Sequence, residues 1–127
     1  MNANETILPA ELLAAAQALA DNLVASEPFV LYQKAEARLR ADQMAVDLLD
    51  SLWTSQGEIR ARQQKGELRQ SDIDSLRQLQ RTVQANSTIM EYGQAQTNAV
   101  NLLREVNREI SEQLGVDFAA LARRSCC

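Results

Sequence analysis

The sequence predicts an all-α protein: an elongated antiparallel helical hairpin or bundle of about four helices, two of them long, packed in coiled-coil fashion and dimerising. Three observations carry this. Hydrophobic residues make up 46% of the chain but aromatics only 4%, so the apolar surface consists largely of Ala and Leu, the residues most at ease in a helix. Both prolines, Pro9 and Pro28, fall early, and the glycines at 57, 66, 93 and 115 stand far apart; few breakers mean few and long helices. Apolar residues also recur at spacings of three and four through most of the chain.

Taken in order, a first helix is expected over residues 9–25, with Leu12, Ala16, Leu19 and Leu23 on one stripe. Pro9 suits its first turn, where an amide donor is not needed. Ser26 can cap a second helix, with Glu27 and Pro28 in its first turn. No strong stop then appears before Gly66, and Tyr32, Ala35, Leu39, Met44, Ala45, Leu48, Leu49, Leu52, Trp53 and Ile59 form a continuous apolar stripe. Residues 65–70 read as a turn. Ser71 and Asp74 form a capping-box-like pair for a shorter third helix bearing Ile73, Leu76, Leu79 and Val83.

Asn86 and Ser87 mark a bend or a second cap, and a fourth helix from about Thr88 carries Ile89, Tyr92, Ala99, Leu103, Val106 and Ile110 to Leu114. Gly115 is placed to end it in a left-handed cap. Asp117 can cap one last turn over residues 118–122. The length fits one domain, residues 1–122, followed by a cysteine-containing tail at 123–127 expected to fray.

The formal net charge is −4, which argues against dedicated nucleic-acid binding, where affinity comes mainly from phosphate neutralisation. The balance is uneven. Arg60, Arg62, Lys65 and Arg69 cluster around the Gly66 turn, but with no aromatic between them they offer no stacking platform and read first as solubilising charge. The start of the chain lacks a positively charged segment followed by an apolar run, and no stretch approaches the ~20 apolar residues that cross a bilayer. The expectation is a cytoplasmic chain without membrane insertion.

The chain contains no histidine. That removes the usual general base, every Ser–His or Cys–His nucleophile pair and the imidazole ligands of common metal sites. The scattered glycines cannot form a phosphate loop. Carboxylates at Asp42, Asp47, Asp50, Glu105, Glu109 and Glu112 alternate with Arg38, Arg40, Arg104 and Arg108 at helical spacing, the pattern of a solvated face. No enzymatic activity is expected, and no catalytic residue is assigned.

Cys126 and Cys127 are adjacent at the chain end, too close to close a disulfide with each other easily, and Arg123 and Arg124 beside them favour the thiolate. Two such tails together would supply the four thiolates of an iron–sulfur cluster, although adjacent cysteines lack the usual spaced-ligand signature. The bland alternative is a redox-sensitive end that binds nothing.

Geometry adds a further constraint. A helix running from Ser26 to Gly66 would be ~55 Å long at 1.5 Å per residue, against ~26 Å for a compact domain of about this size. One hairpin cannot cover both sides of such stripes, so another polypeptide is expected over them. The residues expected to line that interface are Tyr32, Leu39, Leu49, Trp53, Tyr92, Leu103, Val106 and Ile110.

Two stretches, SEPFVLYQKAEARLRADQMAVDLLDSL (residues 26–52) and NSTIMEYGQAQTNAVNLLREVNREISEQLGVDF (residues 86–118), with the short helix between them, resemble the YlbF/YmcA family, also called the Com_YlbF or cell-fate-regulator family. The resemblance implies a small helical, commonly dimeric protein with no reaction of its own. In the best-known bacterial cases two paralogues join a third protein in a complex. That complex promotes competence, biofilm formation and sporulation through a phosphorelay, directs messenger-RNA processing by ribonuclease Y, and carries [4Fe–4S] clusters on cysteines. The resemblance therefore implies a homodimer or a heteromer with a family paralogue, with ribonuclease Y or a signalling protein as further partner. Cys126 and Cys127 are the positions that match cluster ligands, with the cluster shared between chains because the fuller spaced set is missing. The competing reading is a structural or chaperone-like helical dimer with no cofactor.

Overall fold

The computed structural model describes residues 7–123. Six helices follow one another: α1 (Ala10–Ala25), α2 (Glu27–Ala41), α3 (Gln43–Lys65), α4 (Gln70–Gln84), α5 (Ser87–Leu114) and α6 (Phe118–Arg123), with no strand among the described residues. The all-helical expectation holds. Pro9 stands just outside α1, its carbonyl accepting from the Leu13 amide at 2.9 Å. Ser26 is extended, turns its hydroxyl back to the Leu23 carbonyl, and starts α2 with Pro28 in the first turn.

One element differs from expectation. The helix read as uninterrupted from Ser26 to Gly66 is broken at Asp42, which adopts φ −100° and ψ 94°. Its carboxylate accepts from the Ala45 amide at 3.1 Å, giving an orphan N–H of a new helix a partner. Asp competes with the helix for local backbone donors, and here that competition wins. The periodicity hides the break, because the apolar stripe resumes after it in almost the same phase.

The start of α4 also differs. Ser71 and Asp74 were expected to form the cap. Asp72 does this instead, accepting from the Arg69 amide at 3.0 Å and from the guanidinium of Arg62 across the turn; Asp74 bonds Gln70. Asp72 wins because it reaches a backbone donor and a cation at once. Those two bonds, the backbone one first, hold its carboxyl below the ordinary value of 3.8.

The remaining boundaries follow the sequence. Gly66 and Gly115 take the left-handed conformation, φ 71° and 74°, that a side chain would strain. Asn86 caps α5 by accepting from the Ile89 amide at 3.0 Å. Asp117 caps α6 through the Ala120 amide, also at 3.0 Å.

The chain folds into two antiparallel legs. Helix α3 packs on α4 through the Gly66 turn, and α2 packs on the first half of α5. The legs meet where both break: Ala45, just after Asp42, forms one cluster with Val83 and Ile89, which flank Asn86, and Leu39, Leu48, Leu49 and Leu52 close around it. Ala45 is completely covered. Among the described residues Ala35, Ala45, Val83, Ile89 and Ala99 are buried; three of the five are alanines, which let the helix axes approach closely while providing little core volume. No described helix is long and apolar enough to cross a membrane.

Two outcomes follow for stability. Asp42→Ala leaves the Ala45 amide without its partner beside the core and should lower unfolding free energy by about 1 kcal/mol, measured by urea denaturation followed by circular dichroism. Because the folded-state pKa of Asp72 is depressed, its stabilisation is present above the unfolded carboxylate value and lost as pH falls through the folded one. Wild type should therefore be more stable than Asp72→Asn at neutral pH, and the difference should close as pH falls below the ordinary carboxylate value in parallel acid titrations.

Candidate docking interface

The apolar side chains of the chain divide into those spent within it and those left wet. Tyr32 on α2 and Tyr92 on α5 meet with ring centroids 5.7 Å apart and hydroxyls at 3.4 Å. The hydrogen bond to Tyr32, and then burial, pushes the Tyr92 hydroxyl above its ordinary 10.0, so it stays protonated at neutral pH and offers no base. Leu39 and Leu49 pack on the central cluster. These four expected interface residues thus also hold α2, α3 and α5 together inside one chain.

The other four lie differently. Trp53 on α3 is 73% exposed, with Met44 comparably open on the same helix, so the chain by itself does not cover the indole. Leu103 is 43% exposed, and Val106 and Ile110 are half-buried on the second half of α5.

A further wet apolar surface was missed as an interface. Not one residue of α1 is buried; Leu12 (55% exposed), Leu13, Leu19 and Val24 all face water. Its stripe was legible in the sequence, but no α1 residue stands among those expected to line the interface. Burying one such leucine is worth about 1.5–3 kcal/mol, so a helix with this pattern gains strongly from a cover. At the far end, Leu114, Val116, Phe118 and Leu121 around α6 are also exposed.

Between α2 and α5 lies a groove of about 420 Å³, floored by Ala35 and Ala95, walled by Pro28 and Leu31, and closed at one end by the Arg38–Glu91 ion pair at 2.7 Å. Its ionisable lining residues are Glu27, Arg38 and Glu91, the last two paired with each other. Small floor residues and apolar walls suit it to receive a side chain from another polypeptide.

The basic cluster at the Gly66 turn is partly neutralised, since Arg62 is committed to Asp72; Arg60, Lys65 and Arg69 stay exposed beside Glu58 and Glu67. On α5, Arg108 bridges Glu105 and Glu112 at 2.8 and 2.9 Å, the solvated-face pattern expected there. Asp42 leaves that pattern, having become a cap.

Cys126 and Cys127 lie outside the described residues. No group of three or more Cys, Asp or Glu close enough to hold a metal occurs among the described residues. The donor set sets its own limit: two thiols and no imidazole in the whole chain are half of what a [4Fe–4S] cluster needs. One chain does not fit the cluster; two chains supply the number.

Comparison with known proteins bears on the fold and the family. A search of the curated proteins finds no match. The structure is similar to that of Bacillus subtilis RicA, solved in complex with RicF, with a TM-score of 0.75 at 22% identity, covering 85% of this chain and 96% of RicA. At that identity the likeness establishes the fold. The family described as "Control of competence regulator ComK, YlbF/YmcA" matches residues 12–115. With that match spanning most of its helical body, the chain belongs to the YlbF/YmcA family.

Proposed function

We propose that the protein is a non-enzymatic regulatory adaptor that works by docking its helices against another polypeptide, first of all a second YlbF/YmcA-type chain. The observation that carries this is α1, a sixteen-residue helix with a leucine stripe and no buried residue. A solvated stripe of this kind is a helix-packing surface awaiting its other half. That RicA, of the same fold, was solved with RicF supports a family paralogue as an occupant. The complete lack of histidine supports docking over catalysis.

The finer reading is that the adaptor acts on ribonuclease Y-dependent messenger-RNA processing and on a developmental phosphorelay. A [4Fe–4S] cluster shared between chains through Cys126 and Cys127 would tie docking to redox state or iron supply. Support for the cluster comes from the donor count over two chains and from the flanking arginines, which favour the thiolate form.

Two experiments test this reading. Tagged protein should co-purify a family paralogue and ribonuclease Y from the native host, and a Leu12→Glu/Leu19→Glu variant, folded by circular dichroism, should retain neither; equal retention by the variant contradicts α1 as the docking helix. Protein purified without oxygen should show the broad visible absorbance of an iron–sulfur chromophore, absent from a Cys126→Ser/Cys127→Ser variant. Colourless protein containing no iron or sulfide would reject the cluster while leaving the adaptor reading in place.

A further inference from the structure

The two sides of the α3–α4 hairpin are chemically unlike. One is a shallow groove lined by Ser55, Glu58 and Arg62 of α3 and by Asp72 and Ser75 of α4, where Arg62 and Asp72 neutralise each other. Trp53, 73% exposed, stands half a turn round α3 from Arg62 and so on the opposite side. Gly57 and Arg60, four and seven residues on, fall on the same line of the helix. On α4, Arg77 lies just over half a turn from Ser75 and shares that side. The Arg62–Asp72 bond sets the register of the antiparallel pair, which brings Arg77 level with Gly57.

This second side does not balance its own charge. Among the described residues the guanidinium groups of Arg60 and Arg77 make no ion pair or hydrogen bond. Asp50 and Asp74 fall about 60° off the line, toward the outer edges, and Asp74 is bonded to Gln70. Gly57 leaves a bare notch beside the indole, since a Cβ there would meet nothing within 4 Å. Tryptophan and arginine are the residue types that most often anchor protein interfaces. Their order here defines a complement: an apolar side chain over Trp53 and Gly57, then carboxylates about one and two turns further on. Both helices satisfy their own backbones and present no strand edge, so a peptide docking on them gains no main-chain bonds and must satisfy its own by being helical. A nucleic-acid strand fits less well, because one indole stacks one base and the net charge of −4 opposes phosphates beyond this face.

We propose that this side of the α3–α4 leg binds an acidic amphipathic helix of a partner protein, which covers Trp53 with an apolar side chain and sets its carboxylates against Arg60 and Arg77. The notch at Gly57 lets the incoming helix approach α3 closely, and the two arginines fix its direction. The opposite side of the leg, with Arg62 already paired to Asp72, provides no such charge. This inference rests on the adaptor reading and gives it a second contact surface, separate from α1.

The test titrates the full chain into a dye-labelled, alanine-based helical peptide that carries leucines and, one and two turns along the same face, glutamates; its control has lysines in place of the glutamates. Fluorescence anisotropy should show saturable binding of the glutamate peptide and little of the lysine peptide. Trp53→Ala should weaken that binding by about tenfold or more. Arg60→Glu/Arg77→Glu should reverse the preference, and because both positions are exposed its circular dichroism spectrum should be unchanged. Leu12→Glu/Leu19→Glu should bind the glutamate peptide as wild type does. Equal binding of the two peptides, no saturation, or a reversal variant that still prefers glutamate would overturn the proposal. Displacement of the peptide by an oligouridylate at lower concentration than by unlabelled peptide would overturn it in favour of nucleic acid. If the peptide fails while a paralogue still co-purifies through α1, this inference alone is rejected; if both fail, the adaptor reading goes with it.

Discussion

At one level along the molecule two helical rods are interrupted together, and each interruption is closed by a side-chain oxygen accepting a backbone amide: Asp42 from Ala45, Asn86 from Ile89. The residues beside these bonds, Ala45, Val83 and Ile89, form the core cluster. The caps and the core are therefore one construction. Moving either break along its rod would leave orphan amide groups opposite an intact helix and would take Ala45 away from the facing Val83 and Ile89. The α2–α5 pairing and the α3–α4 hairpin both take their direction from this point.

Such a construction provides little buried volume. Alanine at positions 35, 45 and 99 draws axes together but removes little apolar area from water compared with a leucine. Leu12, Leu13 and Leu19 of α1, with Leu114, Phe118 and Leu121 at and around α6, lie on the outside. Chain stability and association are consequently coupled: what binds the native form over its exposed leucines stabilises it by mass action. This gives a physical reason for a family member to work in company.

Most of the architecture was legible in the sequence because it depends on local chemistry. Gly115, Asn86, Asp117 and Pro28 act where a helix end requires a left-handed residue, a short acceptor or a missing donor, and each does so here. The break at Asp42 was not legible, since an aspartate among arginines at helical spacing looks the same whether it faces solvent or caps a new helix. The cap of α4 slipped from Ser71 and Asp74 to Asp72 because the deciding partner, Arg62, lies across a turn. The docking surface was half legible: the stripe of α1 is plain in Leu12, Leu19 and Leu23, but periodicity says that a face is apolar without saying which neighbour, if any, lies on it.

Trp53 is the single indole of the chain, and it stands in water on α3, away from the central cluster. Its emission in the free subunit will be that of a hydrated ring and will change little when the buried cluster melts. What it will register is the arrival of another molecule on that leg, through a shift toward shorter wavelength as water leaves the ring. The protein thus carries an intrinsic optical gauge of what lands on its outer arm.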